Sequence, residues 1–136
     1  TAKGRLLGGN LSVLTGIMGS EYFPDDWDNK ILYLEDVGEP IYAVDRMMSQ
    51  LYLSGMLEKI NGFVFGKCTD CEPGGNGYGS LTMEEVIDHY IKPLGIPAYS
   101  GAMIGHIDKN WTIPNGIEAE INAEKGTIQL LTPAVK

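Results

Sequence analysis

Two short runs of uninterrupted apolar residues, Ile31-Leu32-Tyr33-Leu34 and Phe63-Val64-Phe65, constrain this chain more than any other feature. A strand with one wet face alternates apolar and polar residues, so runs with no polar member call for strands covered on both faces. Between them, Ile41, Val44, Met48, Leu51 and Tyr52 recur at helical spacing, which predicts a helix from Ile41 to about Leu57. Pro40 suits its first turn and Gly55 lies near its end. Strand, helix and strand in that order read as a mixed α/β core. With 136 residues, 43% of them apolar, one compact domain is expected.

The flanking segments fit the same class. Arg5-Leu6-Leu7 reads as a short strand that Gly8-Gly9 then turns, and Asn10 can cap a short helix over Leu11, Leu14 and Ile17. Tyr22 to Asp26 reads as loop. Thr82 and Glu85 form a capping box ahead of a second amphipathic helix that ends before Pro93. A strand is expected over Ala98-Tyr99-Ser100, then a glycine-punctuated turn from Gly101 to His106. Ile117 to Ile121 alternates with period two and Thr127 to Leu131 is β-prone, with Gly126 where a hairpin bulge needs it. The expected fold is therefore a single α/β domain with short strands, about three helices and a C-terminal β-hairpin.

Charge and composition exclude several roles. Ten Lys and Arg against 18 Asp and Glu leave a net charge of −8, a field that repels phosphate backbones and anionic lipid. No apolar run reaches the roughly 18–20 residues of a membrane span, so neither nucleic acid nor membrane is expected as a partner. Cys68 and Cys71 are too few for a disulfide-stapled scaffold and suit a reducing compartment. As a Cys-x-x-Cys pair they could serve as half of a zinc site or as a redox couple, set in a loop expected from Lys67 to Gly79. The Gly74 to Gly79 run before the second helix matches neither a Walker loop nor a dinucleotide fingerprint and reads as a loop.

Two residues stand where α/β sheets place functional groups. Glu35 directly follows the Ile31–Leu34 run, and His106 follows Gly105 just past a strand. A carboxylate and an imidazole so placed are the orienter and base of a hydrolytic triad, in which the carboxylate fixes the tautomer and the imidazole takes a proton from a nucleophile. The bland alternatives are a loop-starting acid and an isolated histidine. If the triad reading holds, Glu35 and His106 should approach within roughly 2.6–3.2 Å. Glu39 is the nearest competing carboxylate, but it precedes Pro40 in a loop and is held less firmly. None of the six serines sits in a Gly-x-Ser-x-Gly elbow, and Ser80 in Gly-Tyr-Gly-Ser-Leu resembles one only superficially.

The ordered motifs Gly4-Arg5-Leu6-x-Gly8-Gly9-Asn10-Leu11, Tyr22-x-Pro24, Ile31-Leu32-x-Leu34-Glu35-Asp36, Glu39-x-x-Tyr42-x-x-Asp45-Arg46-Met47-x-x-Gln50-Leu51, Gly101-x-x-x-Gly105-His106 and Pro114-x-Gly116 span most of the chain. Together they resemble the C-terminal half of an LD-carboxypeptidase, the serine peptidase family that includes the microcin C immunity protein. The resemblance implies a domain of the swivelling β/β/α type over residues 1–136, with Glu35 and His106 as the catalytic glutamate and histidine. It implies a catalytic serine in an N-terminal domain that this chain lacks, consistent with an opening on Thr1 rather than Met. The chain is thus expected to be a piece of a longer protein, catalytically silent alone. The implied reaction is removal of the terminal D-alanine from murein tetrapeptide in cytoplasmic peptidoglycan recycling, with no cofactor and no metal. Asn10 is a candidate substrate contact or simply a helix cap, and a homodimer is a further implied partner state. Two other readings stay open: a peptidyl-nucleotide substrate such as microcin C, and a non-catalytic binding domain of the same fold.

Overall fold

The structure, a computed structural model, describes residues 1–73 and 80–135. The elements run β1 (Ala2–Asn10), α1 (Leu11–Gly16), β2 (Lys30–Val37), α2 (Ile41–Leu53), β3 (Gly62–Thr69), α3 (Met83–Ile91), β4 (Ala98–Ser100), β5 (Glu118–Asn122) and β6 (Thr127–Leu130). They form one six-stranded sheet of order β4-β3-β2-β1-β5-β6. β1 to β4 pair in parallel, and the β5–β6 hairpin joins the far edge of β1 antiparallel. Strand order advances in one direction from β1 to β4, so crossovers of one hand carry α1, α2 and α3 to the same face.

Strand periodicity divides the core in two. Leu32, Leu34, Phe63 and Phe65 point to the helices and pack with Val44, Met48, Leu51 and Ile87. Ile31, Tyr33 and Val64 point to the other face, where Ala102 and Ile104 of the 101–116 segment cover them together with Leu6 and Ile121. The apolar runs of β2 and β3 are thus buried on both faces by different means, helices on one side and an irregular segment on the other. That segment carries His106.

Local signals account for most element boundaries. Asn10 caps α1 by accepting from the Val13 amide, and Thr82 with Glu85 closes a reciprocal capping box on α3. The Glu85 carboxyl is held below its ordinary range, first by the Thr82 backbone amide and then by its hydroxyl. Three boundaries differ from expectation. Gly8-Gly9 does not turn the chain but continues β1, because β1 pairs with β2 as far as Asn10 opposite Glu35. A side chain at Gly8 would run into the Tyr33 carbonyl oxygen. α2 stops at Leu53, before Gly55. β3 runs on to Thr69, past the start of the expected loop, because β2 continues beyond a register shift to pair Asp36 with Cys68 and Val37 with Thr69.

Cys68 and Cys71 form a disulfide rather than two thiols. Of the two uses the Cys-x-x-Cys spacing leaves open, half of a zinc site or a redox couple, a closed disulfide fits the second: the end of β3 and Asp70, at φ 54°, bring the sulfurs together, and spacing alone does not encode that backbone. Paired sulfurs are not thiolate ligands, and no group of three or more metal-ligating side chains occurs among the described residues. The Gly74 to Gly79 run lies outside the described residues.

Candidate active site

The site forms where β2 ends beneath the 101–116 segment. Glu35 lies inside β2 and is 7% exposed, held on the face that Tyr33 and Ile31 share. Its Oε2 is 2.8 Å from His106 Nδ1. An ionised carboxylate only accepts hydrogen bonds, so this contact assigns the proton to Nδ1 and leaves the Nε2 lone pair free. The His106 side chain is 54% exposed against 9% for Glu35, and no side chain among the described residues hydrogen-bonds Nε2. The arrangement is a buried carboxylate holding an exposed imidazole, a geometry in which Nε2 can take a proton.

The backbone around His106 is fixed from β3. Lys67 N–H donates to Ile104 O at 2.8 Å, and the Thr69 hydroxyl donates to His106 O at 2.9 Å. Gly105 makes this approach feasible: its φ of 138° disfavours other residues, and a Cβ there would sit 3.1 Å from Lys67 O and 3.3 Å from Glu35 Oε2. Asn110 Oδ1 accepts from the Gly105 amide at 3.2 Å and closes the turn. A shallow pocket of about 400 Å³ opens beside the pair, lined by Tyr33, Ile104, Asn110, Trp111 and Ile113. A larger cavity of about 770 Å³ lies elsewhere, between α3 and the β3–β4 edge.

The neighbouring carboxylate is arranged differently. Asp36 is 2% exposed and faces α1. Its Oδ1 accepts from Asn10 Nδ2 and the Val37 amide, both at 2.9 Å, and its Oδ2 from the Ser12 amide at 2.9 Å and the Ser12 hydroxyl at 2.7 Å. Asn10 is therefore engaged through both ends of its amide, with Oδ1 on Val13 and Nδ2 on Asp36, and it does not line the pocket beside His106. Glu39 accepts from Ser12 at 3.2 Å rather than from His106. No serine side chain hydrogen-bonds His106 among the described residues; Ser80, for one, donates to Leu81 O.

Sequence reasoning singled out Glu35 and His106, which the fold brings together. It passed over Thr69, Asn110 and Asn115. Asn115 takes the Tyr33 hydroxyl at 3.0 Å and the Gly8 amide at 3.1 Å and so ties the covering segment to β1 and β2. Burial, followed by the nearby Glu35 charge, raises the Tyr33 phenol above its ordinary range even though the Asn115 hydrogen bond opposes this, so it stays a neutral donor. The available signal was weak: polar residues in a segment rich in Gly and Pro.

The sequence profile of the LD-carboxypeptidase C-terminal domain matches residues 3–121. The chain belongs to the LD-carboxypeptidase family. A putative carboxypeptidase of Synechocystis is 40% identical over 96% of this chain and 42% of its own length. A probable murein peptide carboxypeptidase of Bacillus subtilis is 37% identical over 93% of this chain and 39% of its own. Among solved structures, muramoyltetrapeptide carboxypeptidase from Oxalobacter formigenes superposes with a TM-score of 0.80 at 33% identity, covering 95% of this chain and 45% of that one. The microcin C7 self-immunity protein MccF, solved with aspartyl sulfamoyl adenosine, gives 0.85 at 29% identity over 99% of this chain and 39% of its own. This LD-carboxypeptidase domain thus spans about two fifths of the length of the curated relatives it matches.

Proposed function

We propose that this domain supplies the general base and its orienter to a serine carboxypeptidase that cleaves L,D peptide bonds and releases the terminal D-alanine of murein tetrapeptide. The observation that carries the reading is the 2.8 Å contact between buried Glu35 and exposed His106, with Nε2 left open. A serine from a preceding domain would meet Nε2. As it attacks the scissile carbonyl, its proton passes to Nε2, and the imidazolium formed is stabilised by Glu35 across Nδ1–H. The same proton then goes to the departing D-alanine nitrogen as the acyl-enzyme forms, and water repeats the sequence to release the shortened peptide. No step calls for a metal or cofactor.

The 136-residue chain alone is inactive on this account, because among the described residues no serine side chain hydrogen-bonds His106. The reaction belongs to peptidoglycan recycling in the cytoplasm. A peptidyl-nucleotide amide is the second reading, favoured by the likeness to MccF over 99% of the chain. Releasing D-alanine from murein tetrapeptide with the full-length protein tests the first reading, with an aspartyl-nucleotide as the second substrate. The expected result is D-alanine release that His106→Ala abolishes. Cleavage of the nucleotide conjugate alone would move the substrate assignment to the second reading. Cleavage of neither by a folded protein would leave a binding domain that keeps the fold.

A further inference from the structure

The disulfide stands at a position the proposed reaction does not use. Cys68 lies opposite Asp36 in the β2–β3 register and Thr69 opposite Val37, one residue past the end of the site. The Cys68–Cys71 bridge encloses Thr69 and Asp70. Thr69 holds both halves of the site: its hydroxyl donates to His106 O at 2.9 Å, and its carbonyl accepts from the Gly38 amide, just beyond β2, at 2.8 Å. Asp70 is one of two non-glycine residues with positive φ among those described. Such a conformation persists where the surroundings over-determine it, and here the bridge closes around it.

A bridge between residues three apart is a poor staple. Loop closure of so few residues removes the least entropy from the unfolded chain, so a stabilising purpose does not account for its position. Both cysteines are half-buried and line the 770 Å³ cavity beside α3, which opens the sulfurs to an incoming thiolate.

We propose that Cys68–Cys71 is a thiol–disulfide exchange site for a dithiol reductant, placed so that its redox state sets how firmly Thr69 holds His106 against Glu35. The consequence for activity rests on the reading of Glu35 and His106 as the catalytic pair. In the exchange, a thiolate of the dithiol attacks one sulfur, the Cys68–Cys71 bond breaks, and a mixed disulfide forms. The second thiol of the reductant then displaces that cysteine. Two electrons pass to the bridge, two protons end on Cys68 and Cys71, and the reductant leaves as its own disulfide. With the bridge open, Thr69 to Cys71 relaxes, the Thr69–His106 hydrogen bond loosens, and the imidazole is held less tightly. Thr69 is a positioning residue in this scheme.

The test follows the two histidine ring signals of this chain by NMR in buffers of oxidised and reduced dithiothreitol, while alkylation counts the free thiols. The expected result is a shift of the His106 ring signal whose midpoint coincides with the appearance of two thiols. Cys68→Ser/Cys71→Ser should show the reduced-type signal at every potential. Thr69→Val should show it with the bridge intact, and Thr69→Ser should restore the oxidised-type signal. Thiols that appear without any movement of His106, or a chain that never forms the bridge in oxidising buffer, would overturn the proposal. In the full-length protein, reduction should lower D-alanine release on the order of tenfold, with no response in the double serine variant. A redox-linked His106 shift in a protein that releases no D-alanine would sink the catalytic reading and leave the exchange site standing.

Discussion

Glu35 and Asp36 are consecutive carboxylates on one strand, both nearly buried, and they do opposite things. Asp36 points to the helical face and accepts four hydrogen bonds, three of them from Asn10 and Ser12 at the start of α1. Every site on it is engaged, and its role is to lock α1 to the end of β2. Glu35 points to the opposite face and, among the described residues, hydrogen-bonds one side chain, an imidazole with its far nitrogen in the open. On the proposed reading of Glu35, burial alone does not separate a structural acid from a chemical one; the state of its partner does. A saturated carboxylate has nothing left to give a reaction, whereas a carboxylate holding an exposed base has its whole effect elsewhere.

The largest effect that would break this comparison is catalytic. In the full-length protein, His106→Ala should lower turnover on the order of a thousandfold or more, with the melting temperature little changed, as loss of an exposed base would give. Steady-state D-alanine release alongside a thermal melt checks both halves. Asp36→Ala should do the reverse, destabilising the domain by about 3 kcal/mol through four orphaned donors, read from urea unfolding of this chain. A loss below about 0.5 kcal/mol would remove the structural role assigned to Asp36.

Gly105→Ala lies between the two. The added methyl meets Lys67 O and Glu35 Oε2 at a backbone angle that disfavours it, so His106 must shift. Turnover should fall about 10- to 100-fold, with a stability loss of about 1–2 kcal/mol. Unchanged turnover would mean that the close packing of this turn does not position the imidazole.

The smallest effect is on alkaline titration. Burial pushes Tyr33, Tyr90 and Tyr99 above the ordinary phenol value, with Glu35 adding to Tyr33 and Asp45 to Tyr90. Raised folded-state values mean these phenols contribute stability that is complete below about pH 10 and lost as pH rises through the raised values. Absorbance at the phenolate band should show a late group among the seven tyrosines, and Tyr33→Phe should remove part of it. A single transition at the ordinary value would contradict the burial of Tyr33 beside the site.

What was legible in the sequence follows the same division. The apolar runs of β2 and β3, the α3 capping box, the Asn10 cap and the β5–β6 hairpin are local patterns, and each appears where its residues place it. Glu35 and His106 were singled out by the apolar run and the glycine that precede them and by family motifs, although β2 runs on to Val37 and holds Glu35 inside the strand rather than just past its end. Features that depend on a distant strand were not. Gly8-Gly9 looks like a turn until β2 lies beside it, and Lys67 to Thr69 looks like loop until Asp36 and Val37 pair with it. The four donors on Asp36 come mainly from residues more than 20 positions earlier, and the Thr69–His106 bond spans 37 positions. The disulfide depends on that same unforeseen extension of β3.

Two isosteric changes in the full-length protein, Glu35→Gln and Asp36→Asn, each assayed for D-alanine release and for melting temperature, separate the roles of the two carboxylates. Glu35→Gln should melt like the wild type and lose turnover on the order of a hundredfold or more, while Asp36→Asn should melt lower and keep most of its turnover when assayed cold. Wild-type turnover in Glu35→Gln would contradict the role proposed for Glu35, because the amide cannot stabilise the imidazolium that the proposed reaction requires.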